Sequence, residues 1–233
     1  MSYNFNDFIL HDEKNFTVIN KPAGLQTEND RLGNPSVENL FEAHLLSISR
    51  INARPYIVHR LDRPVSGLLV LAKSKTALNH FQEQINEGKF RKKYIARCHG
   101  ILAEKEKNLR HFLVKNPKEF RTDVFDEEVT NSKESTLHYK VLHEHENASY
   151  LDVELFTGRY HQIRGQFAHI GHPLWNDHRY GAEKISDESI IGLHAHALEF
   201  YNPNSNKKIS MNCSPIGFPW QDFKNSQTST NTN

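Results

Sequence analysis

Alternation and 3.6-residue spacing of apolar positions divide the chain into short strands with a few helices between them. Phe16 to Asn20 reads as a strand, closed by the turn Lys21-Pro22-Ala23-Gly24. Ser36 is placed to cap a helix from Val37 to Ile48, with Leu40, Phe41, His44 and Leu45 on one face. Ile57 and Val58 lead into a loop, and the unbroken run Leu68 to Ala72 then reads as a buried strand. Ser74 opens a second helix, Lys75 to Asn86, with Ala77, Leu78, Phe81 and Ile85 facing the core and Gly88 as its stop. Lys89 to Gly100 predicts a strand that is basic at its start. The polar stretch Glu104 to Asn131 predicts one short strand, Phe112 to Lys115, among loops. Thr136 to His143 and Ser149 to Phe156 alternate, and predict paired strands joined across Glu144-His145-Glu146-Asn147. A third helix is expected from about Tyr160 to Ile170, with Ile163, Phe167 and Ile170 inward. Two last strands, Leu193 to Phe200 and Lys208 to Cys213, flank a turn over Asn202 to Asn206. Short alternating strands with few helices predict an α+β fold.

Length and composition narrow this picture. A chain of 233 residues suits one large domain or two closely packed subdomains with a substantial core. No run of about eighteen apolar residues exists, and Met1-Ser2-Tyr3-Asn4-Phe5 has no secretory character, so no membrane span is expected. Cys98 and Cys213 stand far apart without metal-ligand spacing, which favours a reduced, cytoplasmic setting. A net charge of +1 does not announce a nucleic-acid binder, so the placement of positive charge matters more than its total. Among the fifteen histidines, His143-Glu144-His145 comes nearest to a ligand set. Alternate strand residues share a face but need a third ligand, and no metal site is predicted. Residues 1–15 read as an N-terminal extension, 16–224 as the main domain, and 225–233 as a disordered polar tail.

Three stretches hold candidate chemistry. In His59-Arg60-Leu61-Asp62-Arg63-Pro64-Val65-Ser66-Gly67 a carboxylate sits between two arginines on a loop that enters the buried strand. Pro64 biases Arg63 toward extended geometry. The window is either a surface ion-pair cluster beside a turn or a reactive acid on a rigid scaffold. Lys89, Arg91, Lys92 and Lys93 make either a lysine-protected edge strand or a basic rim, with Tyr94 available to stack on a base. Thr157-Gly158-Arg159-Tyr160-His161-Gln162-Ile163-Arg164 opens the third helix, which either carries a basic outer face or presents Arg159 and Arg164 to a cleft.

The first window, with its H-R-L-D-x-x-x-S-G-L-L-V-L-A-K pattern from His59 to Lys73, resembles the signature of the RluA-type pseudouridine synthases. Further windows are similar to that family in the same order: Asn20-Lys21-Pro22-Ala23-Gly24-Leu25, Lys92-Lys93-Tyr94-Ile95-Ala96 through Gly100, Thr157 to Arg164 with Ala168 to Leu174 and Asp177-x-x-Tyr180-Gly181, and Leu193-His194-Ala195. The chain departs from the pattern at Tyr160, at Gly165-Gln166 and at Trp175-Asn176, which bears on the RNA-facing rim rather than on the reaction.

The resemblance implies a mostly antiparallel or mixed sheet with flanking helices and a central active cleft between two sheet-based subdomains, as in members without an S4 domain. It implies isomerisation of a uridine within ribosomal or transfer RNA, presented in a stem-loop, without cofactor or metal; a monomer is expected. Asp62 would be the catalytic carboxylate, Arg164 its cationic partner, and Tyr94 the aromatic group packed on uracil and able to help move a proton. The target base would be flipped out of its stack, with Arg60 filling the gap. His59, Arg63, Lys89, Arg91, Lys92, Lys93, Arg159, His161 and Gln162 are the expected RNA or substrate contacts. The alternatives are a catalytically inactive RNA-binding protein of the same fold and a metal-dependent hydrolase built on the histidines.

Overall fold

The structure is a computed structural model that describes residues 3–48, 54–186 and 189–223. The expected polar tail from residue 225 lies outside these residues. Among the described residues, eleven strands and three α-helices make an α+β domain. The strands are β1 (Ile9–Asp12), β2 (Phe16–Lys21), β3 (Tyr56–Ile57), β4 (Ser66–Ala72), β5 (Arg91–His99), β6 (Glu106–Asn116), β7 (Arg121–Phe125), β8 (Lys133–His145), β9 (Ala148–Leu155), β10 (Leu193–Tyr201) and β11 (Lys208–Asn212). The helices are α1 (Val37–Ser47), α2 (Lys75–Asn86) and α3 (Gln162–His169).

One sheet runs in the order β1-β2-β4-β10-β5-β9-β8-β6-β7, with β3 added to β4 and β11 to β10. Among the pairings between the named strands, only β4–β10 is parallel. The halves expected as subdomains are therefore joined into one sheet through β10 and β5. β4 is buried on both faces, which is why its sequence is continuously apolar rather than alternating. Leu69 and Leu71 point to a core shared with Phe41 and Leu45 of α1 and Phe167 of α3. Leu68, Val70 and Ala72 point the other way, to Phe81 of α2 and the rings of Phe16, Phe90 and Phe200. The side chains of Ser36 and Ser74 accept the Asn39 and Ala77 backbone N–H groups, so both helix starts follow from their capping serines.

Three departures from the sequence reading have local causes. The polar stretch after Glu104 is a long hairpin of β6 and β7 rather than one short strand among loops. Its first residues are exposed and their apolar alternation is lost, while the pair Asn116 Nδ2 to Asp123 at 2.9 Å bridges the hairpin and Arg110 Nε to Glu134 at 2.6 Å ties β6 to β8. Residues 5–12, placed by sequence in an extension, enter the fold: Phe5 is buried and β1 pairs with β2. The third helix starts at Gln162, because His161 has φ 51° and cannot continue a right-handed helix backwards. Its Arg164 is buried rather than part of a basic outer face.

Candidate active site

A cleft of about 350 Å³ lies across the middle of the sheet. One wall is the loop from Val58 to Asp62, the other is Gly158 to Arg164, and Lys92 and Tyr94 of β5 lie between them. Gln82 and Ile85 of α2, Val65, Leu155 of β9 and Leu193 of β10 complete the lining.

The Asp62 loop is held from behind. Leu61 is buried in the core, and its backbone N–H and C=O both bond the Thr27 hydroxyl, at 3.3 and 2.8 Å. Val65 N–H returns to Asp62 C=O at 3.0 Å, closing a turn on Pro64. Gly24 N–H donates to Arg63 C=O at 2.8 Å, and Arg63 Nε donates to Gly24 C=O at 3.0 Å. Lys21, fully buried, donates to the carbonyls of Leu25, Pro22 and Arg63 at 2.7, 2.9 and 3.4 Å. The early Lys21-to-Leu25 window is thus the brace of the Asp62 loop. Burial pushes Lys21 down to about 7, against the attraction of Asp62.

Arg164, 4% exposed, supplies the opposing cation. Its Nε and Nη2 bond the two oxygens of Asp177 at 2.7 and 2.9 Å, and Nη1 reaches Asp62 Oδ2 at 3.0 Å. Burial opposes its charge, but the pairing with Asp177 and then Asp62 outweighs that and holds the guanidinium charged. Its plane also lies over the Tyr180 ring at 5.2 Å. Asp62 Oδ1 has no hydrogen-bond partner among the described residues.

Tyr94 sits mid-strand, paired with Val153 and Ala195, and is 6% exposed. Burial, and next the negative charge of Asp62, push its phenol up, so it remains neutral. A neutral phenol can pack against a base or donate a hydrogen bond, but it makes a poor proton acceptor.

The remaining expected residues separate into two groups. His59, Arg60, Lys92, Arg159, His161 and Gln162 line the cleft. His59 accepts the Val70 N–H at 3.2 Å, and its ring packs on Phe90; burial pushes it down to about 3. Arg60 pairs with Glu28 at 3.0 Å on the exposed rim. Lys92 is largely withdrawn from water, which lowers its pKa, and no acid among the described residues pairs with it. Arg159 Nε donates to Glu134 C=O at 3.2 Å. The Gln162 amide is used internally, accepting from Thr157 and the Arg159 N–H and donating to Thr136 C=O. Arg63, Lys89, Arg91 and Lys93 lie outside the cleft lining. Lys89 pairs with Glu87, Arg91 with Glu154, and Lys93 with Asp152 and Glu154.

The sequence pattern included Asp177 and Tyr180 but assigned them no role, and Lys21 and Thr27 were not singled out for the site. Elsewhere, His111, Asp126 and His169 bring three ligand-type atoms within 4.8 Å of one another. His169 Nε2 bonds Asp126 at 2.9 Å and the Gln166 amide donates to His111 Nδ1 at 2.9 Å, so hydrogen bonding accounts for the group. His143 and His145 face Asp222 instead of converging on a common ligand point.

Residues 15–169 match the profile of the family described as RNA pseudouridylate synthase. The chain is 30% identical over 222 residues to ribosomal large subunit pseudouridine synthase C of Buchnera aphidicola subsp. Baizongia pistaciae, covering 90% of this chain and 67% of that protein. It is 32% identical over 208 residues to an uncharacterized RNA pseudouridine synthase of Synechocystis, covering 87% of this chain and 63% of that one. The chain thus spans about two thirds of the length of these relatives. The fold resembles that of human RNA pseudouridylate synthase domain containing 4, with a TM-score of 0.76 at 20% identity over 92% of this chain and 90% of that one. By these similarities the chain belongs to the RNA pseudouridylate synthase family of isomerases.

Proposed function

We propose that this chain isomerises a uridine of large-subunit ribosomal RNA, with Asp62 as the reacting carboxylate. The observation that carries the assignment is the arrangement at Asp62: the residue lines the cleft, one carboxylate oxygen is held by Arg164 at 3.0 Å, and the other has no hydrogen-bond partner among the described residues. The choice of RNA rests on the names of relatives such as the Buchnera synthase.

Isomerisation breaks the bond between uracil N1 and the ribose, rotates the ring and joins C5 to the same sugar carbon. The proton on C5 leaves and N1 gains one, so no oxidant or group donor is consumed. Arg164 orients Asp62 through its bond to Oδ2, while Tyr94 gives the uracil a flat, uncharged surface. Its buried phenol suits packing better than proton abstraction. The cleft admits one base, not a duplex, so the target is flipped out of its stack at about a few kcal/mol, which a stem-loop makes cheaper. Lys92 stands ready for a phosphate or a uracil carbonyl, and Arg60 and Arg159 flank the entrance. The reading includes action as a monomer.

The test incubates the purified protein, without added cofactor, with ribosomal and transfer RNA from cells lacking it, and maps pseudouridine at single-nucleotide resolution. New pseudouridine in large-subunit RNA, absent with Asp62→Ala, is the expected result. Modification confined to transfer RNA would overturn the substrate, and full activity of Asp62→Ala would overturn the role of the carboxylate.

A further inference from the structure

His161 is held between Asp62 and Tyr180 in a way that sets where its proton lies. Its backbone is left-handed, φ 51°, at the start of α3, a conformation uncommon for a residue other than glycine. That turn directs the ring into the cleft, where Tyr160 stacks on it at 3.8 Å between centroids. Tyr180 Oη lies 3.0 Å from His161 Nδ1 and accepts the backbone N–H of Thr122 at 2.8 Å. The phenol has one proton, and its acceptor among the described residues is Nδ1. A neutral imidazole that accepts at Nδ1 carries its own proton on Nε2, and Nε2 is the atom 3.5 Å from Asp62 Oδ2. Burial pushes His161 down to about 4, with Asp62 opposing and Arg164, Arg179 and Arg60 reinforcing, so the ring is neutral near pH 7.

We propose that His161 is a positioning residue for Asp62, a neutral donor whose tautomer Tyr180 imposes, so that Oδ2 is held by His161 and Arg164 together and Oδ1 is the reacting oxygen. At 3.5 Å the contact is longer than a hydrogen bond, and it tightens when a bound base excludes water from the cleft. Two donors on one oxygen stop the carboxylate from rotating about its own axis, which Arg164 alone does not. The Thr122–Tyr180–His161 chain also ties β7 to the reacting group. This inference rests on Asp62 being the reacting carboxylate.

The experiment measures single-turnover rate and half-saturating RNA concentration by tritium release from ribosomal RNA labelled at uracil C5. Each variant is first checked for a native circular dichroism spectrum and melting transition. His161→Asn tolerates the left-handed backbone but is too short to reach Asp62, and should slow the rate roughly 10- to 100-fold with little change in half-saturation. His161→Gln places an amide N–H near the position of Nε2 and should recover most of that loss. Tyr180→Phe should slow the wild type several-fold, yet add nothing in the His161→Gln background, because an amide has no tautomer to set. Three results would each overturn the proposal: a wild-type rate for His161→Asn, a His161→Gln rate no better than that of His161→Asn, or a Tyr180→Phe effect that is undiminished in the His161→Gln background. Asp62→Ala runs alongside: if it keeps activity, the assignment of Asp62 falls, whereas an inactive Asp62→Ala with a fully active His161→Asn removes the role of His161 alone.

Discussion

Two buried cations flank the Asp62 loop, and they are stabilised by opposite means. Arg164 has a dedicated carboxylate, Asp177, which is 1% exposed and takes two of its donors in parallel. Lys21 has carbonyls as its hydrogen-bond acceptors. The result is a guanidinium held firmly charged on one side and an ammonium pushed down to about 7 on the other. A full charge in a low-dielectric setting needs a full counter-charge, and dipoles compensate only in part. The difference matches their places: Arg164 points into the cleft at Asp62, whereas Lys21 ties together the backbone behind it.

Asp177 is where this contrast breaks most visibly. Asp177→Ala leaves Arg164 buried with a single partner, and removing one member of a buried pair costs about 3–5 kcal/mol. We expect a clear drop in melting temperature and a rate loss of roughly 100-fold or more, since Arg164 is then free to turn both forks toward Asp62. A variant with native stability and rate would show that Arg164 needs no second carboxylate.

The junction that brings both cations together is the next largest test. A Cβ on Gly67, where φ is +115°, would lie 2.3 Å from Ala195 O in β10. Gly67→Ala should therefore destabilise the protein by roughly 3 kcal/mol or more, read from denaturant unfolding. An unchanged midpoint would mean that the parallel β4–β10 contact yields easily.

Lys21→Met sharpens the contrast through pH. In the native chain Lys21 titrates near 7, below the 10.5 of an ordinary lysine. Between those values the unfolded chain keeps a proton that the native chain has released, so this group's penalty is full below pH 7 and fades as pH rises toward 10.5. Wild type should thus gain on Lys21→Met by up to a few kcal/mol between pH 7 and pH 10, measured as the difference between two unfolding curves. Parallel stability profiles would place the native ammonium's pKa near its unfolded value.

The smallest effect belongs to the basic strand. Lys92, without an acid partner in the cleft, should lower RNA affinity several-fold when changed to Ala, with the salt slope falling by about one. Arg91→Ala, already paired with Glu154 and outside the cleft, should change affinity less than about twofold. Equal losses at both positions would show that the whole strand start tracks the RNA backbone.

Much of this architecture is legible in the residues themselves. The cores of α1 and α2 follow from their spacing and from Ser36 and Ser74, because one residue's burial and one cap are local properties. The Asp62 loop stands out because proline, glycine and a following apolar run constrain its backbone over a few positions. The β6–β7 hairpin was hidden, since its first residues face water and their alternation carries no apolar signal. Tertiary structure alone decided who pairs with whom. Asp177 lies thirteen positions from Arg164, Thr27 thirty-four from Leu61, and Glu154 far along the chain from Arg91. The same packing selected Lys92 from a run of similar cations, and turned His161 toward Asp62 through a left-handed backbone. Periodicity reports whether a side chain is buried. The charge it can hold there depends on a partner that only the folded chain brings within hydrogen-bonding distance.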